Sequence, residues 1–284
     1  MFKKIRIFNN PREFLFALYN RFFTLKMYGI EIPKRNAKLV IAHLRLNKFK
    51  SYFTIEKNEI HIKMGKYNLT SSLFDESILM SFEEHILKDE YQLGSIDMRN
   101  KTIIDIGANI GDTALNFVNR GVKRVYSLEP IPQTFSYLIR NISNNSLENV
   151  IIPLNYGIGN KNEKMVIPIR ENASGGNSVT FHKRNLGNKS YKKNVEVSLI
   201  TLKDLWDMIK TNADIIKIDC EGCEYSIIQN NDLIDLFNPE YIIIEYHSGW
   251  QKIKNWLKLN EYEIVNALPK SKDVGIIIAR KKQL

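Results

Sequence analysis

The sequence predicts an α/β domain built on a mostly parallel sheet, and three observations carry that expectation. Residues 102–113, TIIDIGANIGDT, change within one short span from a buried-strand pattern to a glycine turn and then to a helix start. Apolar strand patterns at 124–128, 150–154, 214–219 and 241–246 then alternate with helix-period segments, which is the sequence form of parallel βαβ pairing. Finally, Glu129 closes the second strand about twenty residues past the glycine turn, where nucleotide sites place the acceptor for ribose hydroxyls.

Taken in order, residues 11–28 set Phe14, Leu15, Leu18, Phe22, Leu25 and Met27 among Arg12, Arg21 and Lys26. That pattern predicts one amphipathic helix, favoured as a brace on the main domain over a helix lying on an anionic membrane surface. Residues 51–55 and 60–64 predict a β-hairpin, and 75–88 a helix leading into the first core strand. In the central turn, Asp112 and Thr113 offer N-cap oxygens to a helix at 114–118, and Gly121 offers its C-cap. Pro130 and Pro132 open a helix at 133–142, which stops in the polar run 143–146. An inserted strand at 164–169 and a short one at 195–199 flank residues 170–194, whose glycines and polar side chains predict a long mobile loop. Residues 174–178 of that loop are expected near the substrate. Thr201 caps a helix to 210, and a helix at 251–259 precedes the last two strands, 262–267 and 274–280.

Composition bounds the function. With 44% hydrophobic and 25% charged residues the chain is of ordinary globular type and holds a large core. Its formal charge of +10 is an N-terminal property: residues 1–70 carry 15 Lys and Arg against 4 Asp and Glu, and the rest 26 against 27. Such a block suits phosphates, nucleic acid or an anionic membrane, and charge alone does not choose. No apolar run approaches the ~20 residues that span a bilayer, and the N-terminus lacks a secretory core, so the expected location is cytoplasmic, with peripheral contact at the inner membrane surface as the less favoured alternative. Cys220 and Cys223 form a C-x-x-C without the second pair a structural zinc site needs, and are expected as plain core residues.

The turn itself lacks both G-x-G-x-x-G and G-K-[ST], so it is no ordinary phosphate loop. Asp105, just before the first glycine, is expected to face the ligand and to suit a cationic or amino-bearing one such as S-adenosylmethionine. Glu129 fits the ribose hydroxyls, and Asn155, Tyr156 and Gly157 leave the third strand at the same sheet edge as an adenine wall. In KIDCEG, Lys217 is expected to neutralise a neighbouring acid, because an unpaired charge in a central strand is expensive.

IIDIGANIGDT at 103–113, SLEPIPQTFSYLIRNI at 127–142, NYGIGN at 155–160, IKIDCEGCEY at 216–225 and IEYH at 244–247 together resemble the FkbM-type S-adenosylmethionine-dependent methyltransferases. The resemblance implies a Rossmann-like class I methyltransferase sheet of seven strands, the last antiparallel, with the cofactor at the carboxyl ends of the first strands. It divides the chain into a basic N-terminal extension, 1–98, and a catalytic domain, 99–284. It implies that Asp105, Gly107, Asn109 and Gly111 hold the methionine moiety, Glu129 the ribose, and Ile131 with Asn155, Tyr156 and Gly157 the adenine. Asp219, Glu221, Glu245 and His247 would face the transferring methyl and the acceptor.

For a hydroxyl acceptor, His247 is the first choice of general base from its ordinary pKa of about 6.5, and Asp219 the second. Asp219, Glu245 and His247 could instead hold a hard cation such as Mg²⁺, which is not favoured. The leading function is O-methylation of a small-molecule, glycan or lipid-linked hydroxyl, with sugar the specific expectation. RNA methylation is an alternative, although nucleic acid is unfavoured because no RNA-binding motif is present. A non-catalytic binding module on the same scaffold is another.

Overall fold

The structure is a computed structural model that describes residues 11–28, 30–32, 37–81, 89, 91, 93–170, 175, 191–229 and 232–283. Its large sheet has seven strands: β1 (Thr102–Ile106), β2 (Arg124–Leu128), β3 (Ile151–Leu154), β4 (Ile215–Ile218), β5 (Tyr241–Tyr246), β6 (Tyr262–Pro269) and β7 (Gly275–Lys281). They lie in the order β6-β7-β5-β4-β1-β2-β3, with β1 to β5 parallel and β7 antiparallel to both neighbours. This is the expected seven-stranded α/β sheet. The chain runs outward from β1 to β3, then returns to lay β4 against the other side of β1. That reversal is the topological switch point, outside whose carboxyl ends open α/β sheets hold their ligands.

Period-2 alternation splits the apolar side chains between two cores. Ile103, Val125, Ile215 and Ile243 point to one face, and Ile104, Leu128, Ile216 and Ile244 to the other. The first face is covered partly by N-terminal residues, among them Ile32, Leu39, Ile60 and Leu69. Against this face a polar register row interrupts the isoleucines: Lys217 pairs with Asp105, and Asp105 with Ser127.

Several expectations are corrected here. The first helix covers only Pro11–Asn20. The amides of Arg21 and Phe22 bond back to Leu18 and Tyr19, Asn20 Nδ2 donates to the Phe23 carbonyl, and the chain turns into a hairpin of Leu25–Met27 with Ile30–Ile32. The central helix, Asp112–Asn119, starts at Asp112, and its N-cap is Gly111 at φ +94° with no side-chain cap. The predicted hairpin forms as Phe53–Glu56 with Glu59–Met64, and a third strand, Tyr67–Ser72, joins it. Helix Pro132–Asn144 supplies the reason: Asn141 accepts from the Thr70 amide and donates to its carbonyl, satisfying that edge.

Helix Glu76–Ser81 begins on Asp75, whose Oδ1 accepts from the amides of Ser77 and Ile78; the predicted continuation to 88 lies outside the described residues. Strands Glu163–Arg170 and Tyr191–Ile200 pair antiparallel, and between them only residue 175 is described, so the expected loop and lid otherwise lie outside. Thr201 forms the expected cap, with Asp204 completing a capping box. No helix among the described residues is long and apolar enough to cross a membrane.

Candidate active site

A cavity of about 360 Å³ opens at the carboxyl ends of β1, β2, β4 and β5, within the ~300–1,000 Å³ usual for small-molecule sites. Its first wall is the turn after β1. Gly107 (φ +84°) and Asn109 (φ +51°) are left-handed, which aims successive amides at the end of β2. Gly107 and Ala108 donate to the Leu128 carbonyl at 3.0 and 2.8 Å, and Asn109 donates to Glu129 Oε2 at 3.1 Å. A Cβ on Gly107 would lie 1.8 Å from the Asp219 carbonyl oxygen, so only glycine lets β1 and β4 approach this closely.

Glu129 also accepts the Ile131 amide at 2.9 Å, and it lines the cavity while only 6% exposed. Burial pushes its carboxyl up to about 7, against the pull of the two amides. Ile131, Tyr156 and Gly157 line the same side. Asn155 does not: its amide donates to the carbonyls of Glu129 at 2.8 Å and Pro130 at 3.2 Å, bracing the loop from behind.

Two further expectations change. Asp105 is fully buried and does not line the cavity, because Lys217 Nζ takes its Oδ1 at 3.0 Å. Gly111 also lies outside the lining, and serves as the helix start packed against Leu138. Lys217 neutralises a neighbouring acid as its position predicted. Its ammonium also reaches the Gly107 carbonyl at 3.1 Å and Asp219 Oδ2 at 3.7 Å. Burial opposes the charge on Lys217, but Asp105 and Asp219 outweigh it and hold the lysine above its ordinary pKa.

Asp219, Glu221, Glu245 and His247 converge on the opposite wall. Tyr91 Oη donates to Asp219 Oδ2 at 2.7 Å and lies 3.4 Å from Glu245 Oε2, whose Oε1 accepts from Lys270 at 2.8 Å. Burial and the Asp219 charge carry Glu245 up to about 7. His247 Nδ1 sits 2.7 Å from Glu224 Oε1, with Nε2 3.5 Å from Glu221 and 4.0 Å from Asp219. Burial alone would lower this imidazole, but the Glu224 hydrogen bond and the three acids raise it to about 9. His247 therefore carries a proton at neutral pH, unlike the free imidazole behind the sequence expectation. Among the described residues no three His, Cys, Asp or Glu side chains form a group that could hold a metal ion, so the set of Asp219, Glu245 and His247 has no such geometry here.

The turn after β4 corrects the cysteine reading. Glu221 (φ +56°) and Gly222 (φ +117°) fold it back until the Cα atoms of Cys220 and Cys223 stand 5.5 Å apart, and the two form a disulfide. Sequence reasoning also missed Glu224, although it lies inside IKIDCEGCEY, and gave no signal for Ser77, Tyr91 or Arg170. Ser77 and Tyr91 come from the segment before β1 and reach the site only through the fold.

No curated protein matches this sequence. Among solved structures, M. jannaschii TYW2 in complex with AdoMet is 14% identical, with 80% of this chain and 87% of that one covered at a TM-score of 0.44. M. capricolum TrmK in complex with S-adenosyl-homocysteine is 15% identical over 69% of each chain at 0.41. At these values the likenesses say nothing of a substrate. The family model for the methyltransferase FkbM domain matches residues 105–267, from the β1 aspartate into β6. With more than half its length matched, its sheet order that of the implied fold and its cavity at the switch point, the chain belongs to the FkbM methyltransferases, a family that uses S-adenosylmethionine.

Proposed function

We propose that the chain binds S-adenosylmethionine across the ends of β1 to β3 and methylates a hydroxyl oxygen of a glycan, polar lipid or secondary metabolite, with a sugar as the specific acceptor. The observation that carries the reading is Glu129, a buried carboxylate at the rim of the cavity, oriented by two backbone amides as a ribose-hydroxyl acceptor must be. Gly107 and Asn109 offer a close backbone approach for the methionine moiety, and Ile131, Tyr156 and Gly157 a flat wall for adenine. Asp105, Gly111 and Asn155 act from behind by fixing Lys217, the helix start and the β2 loop. Residues 99–284 are the catalytic domain, to which the extension 1–98 adds Ser77 and Tyr91.

When bound, the cofactor supplies an electrophilic methyl carbon on a sulfonium sulfur, suited to in-line displacement. The acid-rich wall of Asp219, Glu221 and Glu245 favours that cation. Since His247 is already protonated, Asp219 is the group that would take the proton of the acceptor hydroxyl, and Tyr91 holds its carboxylate in place. His247, locked by Glu224, offers its cation to the neighbouring carboxylates.

Calorimetric titration with S-adenosylmethionine and S-adenosylhomocysteine tests the cofactor site. Wild type should bind both, and Glu129→Ala should lose about 10- to 100-fold through the charged hydrogen bonds removed. Absence of wild-type binding would sink the proposal. Labelled-methyl transfer to sugar, lipid and RNA acceptors then tests the acceptor class: incorporation into RNA alone would overturn the hydroxyl reading.

A further inference from the structure

The helix Pro11–Asn20 is packed with its polar side inward. Among its described side chains, Glu13, Ala17 and Asn20, at spacings of four and three, are the buried ones, and Glu13 pairs with Arg45 of helix Ala37–Leu46 at 3.3 Å. Among the described side chains six large ones stay outside: Leu15 is 61% exposed, Phe22 60%, Tyr19 52% and Phe23 50%, with Leu18 and Phe16 beside them. An ordinary surface helix does the reverse, because burying its apolar stripe is what stabilises it. Tyr19 and Phe23 stack on each other at 4.5 Å between ring centroids, so the patch continues past the helix end into the following turn. Contiguous exposed apolar area of this kind marks an interaction surface.

Charge selects the occupant. Arg12, whose guanidinium lies 5.7 Å over the Phe16 ring, stands exposed at one end of the patch, and Arg21 and Lys26 at the other. Lys3, Lys4 and Arg6 precede the helix in the sequence, and residues 1–70 hold all of the chain's basic excess. Aromatic and leucine side chains ringed by cations, on a helix too short to span, match the interface of an anionic bilayer. We infer that this face, from Leu15 to Phe23 with its flanking arginines, docks the protein on an anionic lipid surface. The surface is separate from the cavity and stands whether or not the methyl-transfer reading does.

Co-sedimentation of the full chain with phosphatidylcholine vesicles, with and without about 30% phosphatidylglycerol to supply a negative surface potential, tests it. Wild type should sediment with the anionic vesicles alone and release at high salt. The double variant Phe22→Ser, Phe23→Ser should bind at least about tenfold more weakly, since two half-buried aromatics leave the interface. These positions are half exposed or more, and an unchanged circular dichroism spectrum confirms that the variant is folded. Glu129→Ala should sediment as wild type, which separates this surface from the cofactor site. The inference is overturned by equal sedimentation with neutral vesicles, by wild-type binding of the double variant, or by a dimer in sedimentation velocity that dissociates in that variant while no vesicle binds.

Discussion

Removing the ammonium of Lys217 tests whether the polar row between β1 and β4 is an ion pair held against burial. Lys217 and Asp105 are 1% and 0% exposed, and the lysine serves Asp105, the Gly107 carbonyl and Asp219 at once. Lys217→Met keeps most of the volume but leaves Asp105 without its counter-ion, and Asp105 Oδ2 already lacks a partner among the described residues. A buried pair broken from one side costs about 3–5 kcal/mol, a large part of a total near 5–15 kcal/mol. Asp105→Asn should cost less, because Lys217 keeps the Gly107 carbonyl and Asp219. The double variant should cost less than the sum of the two, since no unpaired charge is left in the row. Urea denaturation followed by circular dichroism at pH 7 gives all three values. A Lys217→Met loss below about 1 kcal/mol, or a larger loss for Asp105→Asn, would refute the argument that burial makes this pair obligatory.

Glu129 links pH to both stability and binding. Its folded value of about 7 lies above that of a free carboxylate, so its contribution is fully present at low pH and is lost as pH rises from about 4.5 to 7. Glu129→Gln should therefore stabilise the protein at pH 8 by up to about 3 kcal/mol in thermal or urea unfolding while weakening cofactor binding. If the carboxylate accepts the ribose hydroxyls, wild-type affinity should rise about tenfold between pH 6 and 8 in calorimetry, and Glu129→Gln should flatten that slope. His247, raised to about 9, contributes stability present below its ordinary value and lost as pH climbs through 9. Glu224→Gln should lower its pKa by about one unit or more in an NMR titration, and an unmoved value would remove Glu224 as the positioning residue. Gly107→Ala should cost more than ~3 kcal/mol from backbone overlap with Asp219, whereas Gly249→Ala, with φ +80° and nothing within 4 Å, should cost only about 1–2 kcal/mol. The denatured, unreduced protein should show no thiol to Ellman's reagent, and two thiols after reduction.

Most of what local rules govern was legible in advance, although the start of the central helix and the end of the first were not. Strands 102–106, 124–128 and 241–246 and the helix 251–259 form with the expected bounds, because apolar period and turn residues are local properties. The same holds for the glycine turn, Glu129 at the tip of β2, the Thr201 cap and the need of Lys217 for a partner. What required the tertiary structure was any outcome set by a neighbour distant in sequence. Asp105 and Asn155 were placed at the ligand by their spacing, yet Lys217 claims the first and the Glu129 and Pro130 carbonyls claim the second. His247 has an ordinary pKa in isolation and a raised one among Glu221, Glu224 and Asp219, and no linear pattern sums those charges. Tyr91 reaches Asp219 across 128 residues of chain. Finally, the apolar stripe of residues 11–28 was visible as a stripe, but that Leu15, Leu18 and Phe22 face outward while Leu25 and Met27 pack on the core was decided by tertiary contacts such as the buried pair of Glu13 with Arg45.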